Sequence, residues 1–280
     1  MIKKAFASWA CIAFSCIATA QASYVFAINE GVTYKTGNEA TRQNYQAIAD
    51  DLSRVLKVKV RIEVISEYAT LERDLAANVY DIAFIHPTHI ALAPVKKGTY
   101  TLLAVSKAHM NYKASFLSRI NAEAKSPAEL GRLMAAATKP VGSPDTNSIT
   151  AWLVRATLRD AAAASRSRAP KLKFTRYQDS IPFMIDSGFV DIAATGSESI
   201  VKQWTASGGK VIAASKPVPI KDLIVSQAMS KEATDAIQSY FIALANTADG
   251  QAKLDRIGLK QGFVAYDQPA FVALGTWLGL

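Results

Sequence analysis

Residues 80–93 read YDIAFIHPTHIALA. The run Asp81–Ile85 is short and apolar, as a buried strand would be. Pro87 suits the first turn of a helix, which Ile90, Ala91 and Leu92 continue. Residues 189–202, FVDIAATGSESIVK, repeat the form: an apolar residue, Asp-Ile-Ala, six residues, then Ile. In both, a strand runs through a turn into a helix. An echo between two halves of a chain points to two lobes of similar build.

The flanking sequence extends the alternation. Tyr24–Asn29 is an apolar strand, and Tyr45, Ile48, Ala49, Leu52, Val55 and Leu56 recur on one helix face. Val58, Val60, Ile62 and Val64 alternate with Lys59, Arg61 and Glu63, a half-buried strand, and Tyr68, Leu71 and Leu75 mark a second helix. Further on, Ser126-Pro127-Ala128-Glu129 reads as an N-cap with Pro at the first helical position and an acid at the third. A strand is expected around Ala135–Val141, and the loop GSPDTNS opens a helix from about Ile149 to Ala164. Leu172–Thr175, Ser180–Ser187 and Val190–Thr195 read as strand, helix and strand. This rhythm predicts an α/β fold, each lobe a mainly parallel sheet flanked by helices. Tyr112–Leu117 and Asp222–Val225 read as strands that carry the chain between lobes, a two-strand hinge. The expected organisation is residues 1–22 as a leader, 23–106 as the first part of lobe 1, 107–218 as lobe 2, and 219–280 as the return to lobe 1.

The leader is MIKKAFASWACIAFSCIATAQA: Lys3 and Lys4, an uncharged apolar run, then Ala20-Gln21-Ala22 as a small-x-small cleavage site. These are the parts of a secretory signal peptide cleaved after Ala22. Both cysteines, Cys11 and Cys16, lie within it. The exported chain therefore has no thiol, which excludes disulfides, cysteine nucleophiles and cysteine-based metal sites. About 258 residues are enough to bury a core without such staples. The formal charge of +9 falls to +7 without Lys3 and Lys4. Basic residues are scattered, with no block of Lys and Arg interleaved with aromatics, so the excess fits a small anion or simply a solvated surface rather than nucleic acid.

Three loops lie between a strand and a following helix: Phe84–His89, Gly142–Ser148 and Thr195–Ser199. In open α/β sheets ligands bind at the carboxyl ends of strands, where helix N-termini present unpaired N–H groups to anions. Thr88, Thr146, Asn147, Ser148, Ser197 and Ser199 stand there, each also suited to plain N-capping. His86 and His89 are open to two roles, core histidine or hydrogen-bond donor to ligand. A His-x-x-His metal site is disfavoured, because Pro87 intervenes, His109 is the only other imidazole and no acid cluster stands near. No Gly-x-Ser-x-Gly elbow, Gly-x-x-x-x-Gly-Lys loop or dinucleotide glycine fingerprint is present, so neither an enzyme nor a cofactor is expected.

At these loops the chain resembles the phosphonate/phosphite/phosphate-binding branch of periplasmic substrate-binding proteins of ABC transporters, with the type II periplasmic binding protein fold. The resemblance rests on Asn44-Tyr45-Gln46, Asp81-Ile82-Ala83-Phe84, Pro87 and Ala91-Leu92-Ala93. It continues in Ser143-Pro144-Asp145-Thr146-Asn147-Ser148, Val190-Asp191-Ile192-Ala193-Ala194, Ile257-Gly258-Leu259 and Gly262-Phe263-Val264. It departs at His86 and Ile90, where the family has Gly and an aromatic, and at Gln178-Asp179, where it often has His-Asp. Glu198 stands at the family's acidic position for an amino group. The resemblance implies a periplasmic monomer that clamps a small anionic ligand and delivers it to an inner-membrane permease with its ATPase. Lobe 1 would offer Tyr34, His86, Thr88 and His89; lobe 2 would offer Thr146, Asn147, Ser148, Gln178, Ser197 and Glu198. The alternatives are a ligand-sensing partner of a signalling receptor, or a binder of a different small organic ligand. With histidines at their ordinary pKa, anion binding would strengthen as pH falls toward 6.

Overall fold

The computed structural model describes residues 23–31 and 37–280. The leader and Tyr34 lie outside the described residues. The chain begins with β1 (Tyr24–Asn29), α1 (Asn38–Leu56), β2 (Val60–Val64), α2 (Tyr68–Ala76), β3 (Ile82–Ile85), α3 (Thr88–Lys96) and β4 (Tyr100–Ser106). Then come β5 (Ser115–Ser118), α4 (Pro127–Ala136), β6 (Val141–Ser143), α5 (Ile149–Ser165), β7 (Leu172–Phe174), α6 (Ile181–Asp186), β8 (Ile192–Thr195), α7 (Glu198–Ala206) and β9 (Lys210–Ala214). It ends with β10 (Asp222–Ser226), α8 (Lys231–Ala243), α9 (Ala248–Arg256), β11 (Phe263–Val264) and α10 (Gln268–Leu278).

One sheet has the order β11-β4-β10-β3-β1-β2 and the other β7-β6-β8-β5-β9. Apart from the edge strand β11, the two orders correspond strand for strand: β2-β1-β3-β10-β4 against β7-β6-β8-β5-β9. The two Asp-Ile-Ala stretches are the equivalent strands β3 and β8. Both sheets are mixed. β10 lies antiparallel between β3 and β4, and β5 lies antiparallel between β8 and β9. Each is the first strand the chain makes after crossing from the other sheet. Both crossings leave from the carboxyl ends of strands, so the entering strand has to run the opposite way. The remaining strands of each sheet, β11 aside, point together.

The central strands are covered on both faces, which is why β1, β3 and β8 read as apolar runs, whereas the edge strand β2 alternates. Phe26, Ile28, Phe84 and Leu223 meet Tyr45, Ile48 and Leu52 of α1 and Ile237 and Phe241 of α8 on one face of the first sheet. On its other face Ala27, Ala83, Ile85 and Ile224 meet Ile90, Leu92 and Val95 of α3. That cluster continues through Phe271 and Leu278 of α10 into Leu153, Val154 and Leu158 of α5 and the second sheet. The C-terminal helix thus packs on both halves. It is held by Trp277 Nε1 donating to Asp160 at 2.7 Å and by Arg159 donating to the Trp277 carbonyl.

Several local expectations shift. Ser126 caps α4 through its hydroxyl, with Pro127 at the first position, and Glu129 reaches back to the Lys125 N–H. However, α4 runs to Ala136, so β6 begins at Val141 rather than near Ala135. Pro87 is the residue before α3, joined to His86 by a cis bond. The crossings themselves are residues 107–114 and 215–221, before β5 and β10, and they pair at Tyr112 and Val218.

Candidate functional site

Because both crossings leave from carboxyl ends, the ends of β1, β3, β6 and β8 all face the hinge. Tyr112 and Val218 exchange backbone hydrogen bonds of 3.1 and 2.8 Å, and Ser215 and Ile220 add bonds to Ala114 and His109. From this ribbon Tyr112 reaches lobe 2, where its hydroxyl meets Thr150 Oγ1 at 2.6 Å. Gly196 fills the remaining space: a Cβ there would lie 1.8 Å from the Tyr112 hydroxyl.

His86, Thr88 and His89 come together at the start of α3. His86 is 9% exposed, and its Nδ1–H donates to the Ile220 carbonyl at 2.7 Å. The ring is therefore tied to the hinge, and it also fixes Gly31. Gly31 has φ +80°, and a Cβ there would lie 2.4 Å from His86 Cδ2. Burial pushes the His86 pKa down to about 4, only partly offset by the Ile220 bond. Burial, then the neighbouring His86, brings His89 to about 4 as well. Both rings are neutral at periplasm-like pH, so they do not supply the charge that the expected strengthening of anion binding toward pH 6 required. The His89 ring lies tilted against Trp152 in the first turn of α5, centroids 6.0 Å apart, a contact that joins the two halves. Its Nδ1 and the Thr88 Oγ1 are buried without a hydrogen-bond partner among the described residues.

Beside this turn, Lys221 pairs with Glu30 at 3.1 Å, their side chains 6% and 16% exposed. Glu30 also accepts from the Tyr45 hydroxyl. The pair borders a polar cavity of about 270 Å³, lined as well by Asn44, His109 and Arg256. His109, the third histidine, bonds Ser106 at 2.9 Å, and burial holds its pKa below the ordinary value. Among the described residues no group of three His, Asp, Glu or Cys is placed to hold a metal.

On the lobe 2 side the expected donors are used locally. Ser148 caps α5, accepting from Ala151 N at 3.2 Å while its own proton goes to the Asp145 carbonyl at 2.7 Å. Thr146 is exposed and accepts from Arg155, and the Asn147 N–H donates to Asp145. Gln178 is a strut: its Oε1 accepts from Thr195 Oγ1 and Gly196 N, both at 2.7 Å, fixing the β8–α7 turn. Ser197 caps α7 and meets Ser199, while Glu198 is exposed.

Four residues outside the sequence-derived set belong to this region: Tyr112, Trp152, Ser143 and Asp222. The Ser143 hydroxyl, at the end of β6, is buried without a partner. Asp222 opens β10 with no exposed surface and neither carboxylate oxygen hydrogen-bonded among the described residues. Burial raises its pKa to about 7. Thr88 lies close enough to oppose that rise but out of hydrogen-bond geometry. An acid next to Lys221 at the head of the apolar run Leu223–Val225 is the sequence signal that marks Asp222.

Among solved structures, XAC2383 from Xanthomonas citri bound to chloride superposes with a TM-score of 0.66 at 13% identity, covering 92% of this chain and 97% of that one. The same protein bound to ATP matches at 12% identity, a TM-score of 0.66 and the same coverage. PhnD1 from Prochlorococcus marinus with methylphosphonate gives 0.60 at 11% identity, covering 90% and 96%. At these identities the likeness shows the fold, the two-lobed fold of periplasmic binding proteins. No curated protein sequence matches the chain. The family model described as ABC transporter, phosphonate, periplasmic substrate-binding protein matches residues 31–271, so the chain belongs to that family of non-enzymatic, periplasmic binding components.

Proposed function

We propose that this protein captures a small phosphonate-, phosphite- or phosphate-like oxyanion between its lobes and releases it to an ABC permease with its ATPase. The observation that carries this reading is the meeting of the first turns of α3 and α5 across the hinge, at His89 and Trp152. Each turn follows the carboxyl end of a strand, and α5 is a 17-residue helix whose positive end suits an anion. The buried Ser143 and Thr88 hydroxyls add neutral donors from opposite sides. A ligand touching both turns favours the closed arrangement, because its contacts exist only there. The solved structures of similar fold hold chloride, ATP and methylphosphonate, all anions. Tyr34, Thr146, Asn147, Ser148, Gln178, Ser197 and Glu198 remain proposed as contacts or as supports of the loops that make them. The lobe boundaries 23–106, 107–218 and 219–280, cleavage after Ala22 and a monomeric state belong to the same proposal.

The test is a thermal-shift and calorimetry panel of phosphate, phosphite, methylphosphonate, methanesulfonate and Zn²⁺. A ligand at one hundred times its Kd adds about 2.7 kcal/mol, enough to read as a higher Tm. Stabilisation by phosphorus oxyanions, with a smaller radius of gyration in solution scattering, is expected. Stabilisation by Zn²⁺ alone would overturn the anion cleft.

A further inference from the structure

We propose that the outer edge of the second sheet, from Arg166 to Lys173 with Phe183 and Phe189, is a docking surface for a bilayer that carries anionic lipid. The surface is separate from the cleft and does not rest on the oxyanion reading. Basic residues are concentrated here rather than scattered: residues 166–177, RSRAPKLKFTRY, hold five cations and no acid. Arg166, Arg168, Lys171 and Lys173 are exposed, and none of them forms a salt bridge among the described residues. The stretch leads into β7, the edge strand, whose far side no other strand of the sheet covers. The acids on α6 and just before β8 are already paired, Asp186 with Arg119 at 3.0 Å and Asp191 with Lys139 at 2.9 Å. The next acid along the chain, Asp179, comes after the carboxyl end of β7, on the cleft side.

Exposed rings coincide with this charge. Among the described residues the exposed aromatic side chains are Phe174, Tyr177, Phe183 and Phe189, all within one short span. Phe183 is 63% and Phe189 50% exposed, and their ring centroids are 6.1 Å apart. The Lys173 ammonium lies 4.5 Å from the centre of the Phe189 ring, so rings and cations form one continuous surface. Covering such rings is favourable against an apolar phase, while the cations beside them favour a negative one. A bilayer with anionic lipid offers both: rings enter the acyl boundary, and lysine and arginine heads stay at the phosphates. A second copy of this chain would set like charges face to face. The rings protrude rather than wall a groove for a peptide, and the cavities of about 190 and 270 Å³ are lined by other residues. Arg166, Arg168 and Lys171 precede β7 and Phe189 precedes β8, so the surface lies toward the amino ends of these strands, opposite the cleft. Docking therefore holds the protein beside a membrane and leaves the cleft open to ligand.

Cosedimentation of the exported protein with vesicles tests this, phosphatidylcholine alone against phosphatidylcholine with phosphatidylglycerol. Partitioning to the phosphatidylglycerol vesicles should be about ten-fold stronger or more at low salt, each cation near an anionic surface being worth about five-fold. It should fade as added salt shortens the screening length. Lys171→Gln with Lys173→Gln should lower it by about 20-fold. Phe183→Ser with Phe189→Ser, at unchanged charge, should lower it by about ten-fold. Circular dichroism checks that both variants fold. Equal partitioning to both kinds of vesicle, or none to either, overturns the proposal and leaves a solvated basic face. A phenylalanine variant that partitions like the native protein overturns the apolar half of the surface. Binding to poly-glutamate without binding to vesicles overturns the lipid and assigns an acidic protein partner instead.

Discussion

Asp222→Asn has a consequence for stability that is independent of any ligand. A carboxyl raised from 3.8 to about 7 by burial stays protonated in the native state over a pH range where the unfolded chain has already lost that proton. Between those values the native state binds more protons, so stability falls as pH rises, and the full penalty is present above about pH 7. The shift is roughly three units, and at 1.36 kcal/mol per unit it amounts to an upper figure of about 4 kcal/mol. Asparagine fills nearly the same space and cannot ionise. The stability of Asp222→Asn relative to the native protein should therefore climb by about 1.4 kcal/mol per pH unit between roughly pH 4 and 7, then level off. Thr88 and Tyr266 face the group in both proteins, and His86 and His89 titrate in both, so their contributions cancel in the difference. Urea unfolding at pH 5, 6, 7 and 8 measures it, and about 2–3 kcal/mol should separate the difference at pH 5 from that at pH 8. Parallel stability profiles would refute the reasoning, because they would mean that Asp222 is already ionised and compensated in the native protein.

Histidine NMR should find the His86 and His89 rings neutral down to about pH 5, since burial lowers both to about 4. The stability they carry is present above pH 6.5 and lost as pH falls toward 4; a ring titrating near 6.5 would contradict the burial. Gly31→Ala should destabilise by about 1–3 kcal/mol in urea unfolding, because alanine is strained at φ +80° and its Cβ meets His86. An unchanged midpoint would show that this turn relaxes freely. Ser148→Ala removes the α5 cap and should cost about 1 kcal/mol of stability. If the loop also holds the oxyanion, this variant should lose about ten-fold or more in affinity, a hydrogen bond to a charged acceptor being worth about 1.5–3 kcal/mol. An unaltered Tm would argue against the cap, and an unaltered Kd against a ligand role for this loop.

The alternation of apolar runs and helix faces was enough to place β1, β3, α5 and β8 within a residue or two, because their burial leaves a periodic imprint. The Asp-Ile-Ala echo announced the equivalence of β3 and β8 for the same reason. The inserted strands β5 and β10 read as strands but not as insertions, since direction within a sheet depends on where the hinge lies. The role of α10 as a bridge between halves left no local mark: Trp277 and Asp160 are 117 positions apart.

The site divided in the same way. Composition and turn chemistry determined which loops would carry hydroxyls, amides and histidines beside helix starts. Only the folded chain decided how those groups are spent. Ser148 and Gln178 have every feature of ligand donors in sequence, yet Ser148 bonds within its own loop and the Gln178 oxygen braces the β8–α7 turn. His86 and His89 look like pH-sensitive cations, yet burial keeps them neutral. Asp222, an acid beside Lys221 at the head of an apolar strand, is fully buried with no cation folded against it. Periodicity is written in neighbouring residues, whereas desolvation and pairing are set by residues distant in the chain, so the sequence determined the scaffold and the tertiary structure determined the electrostatics of the cleft.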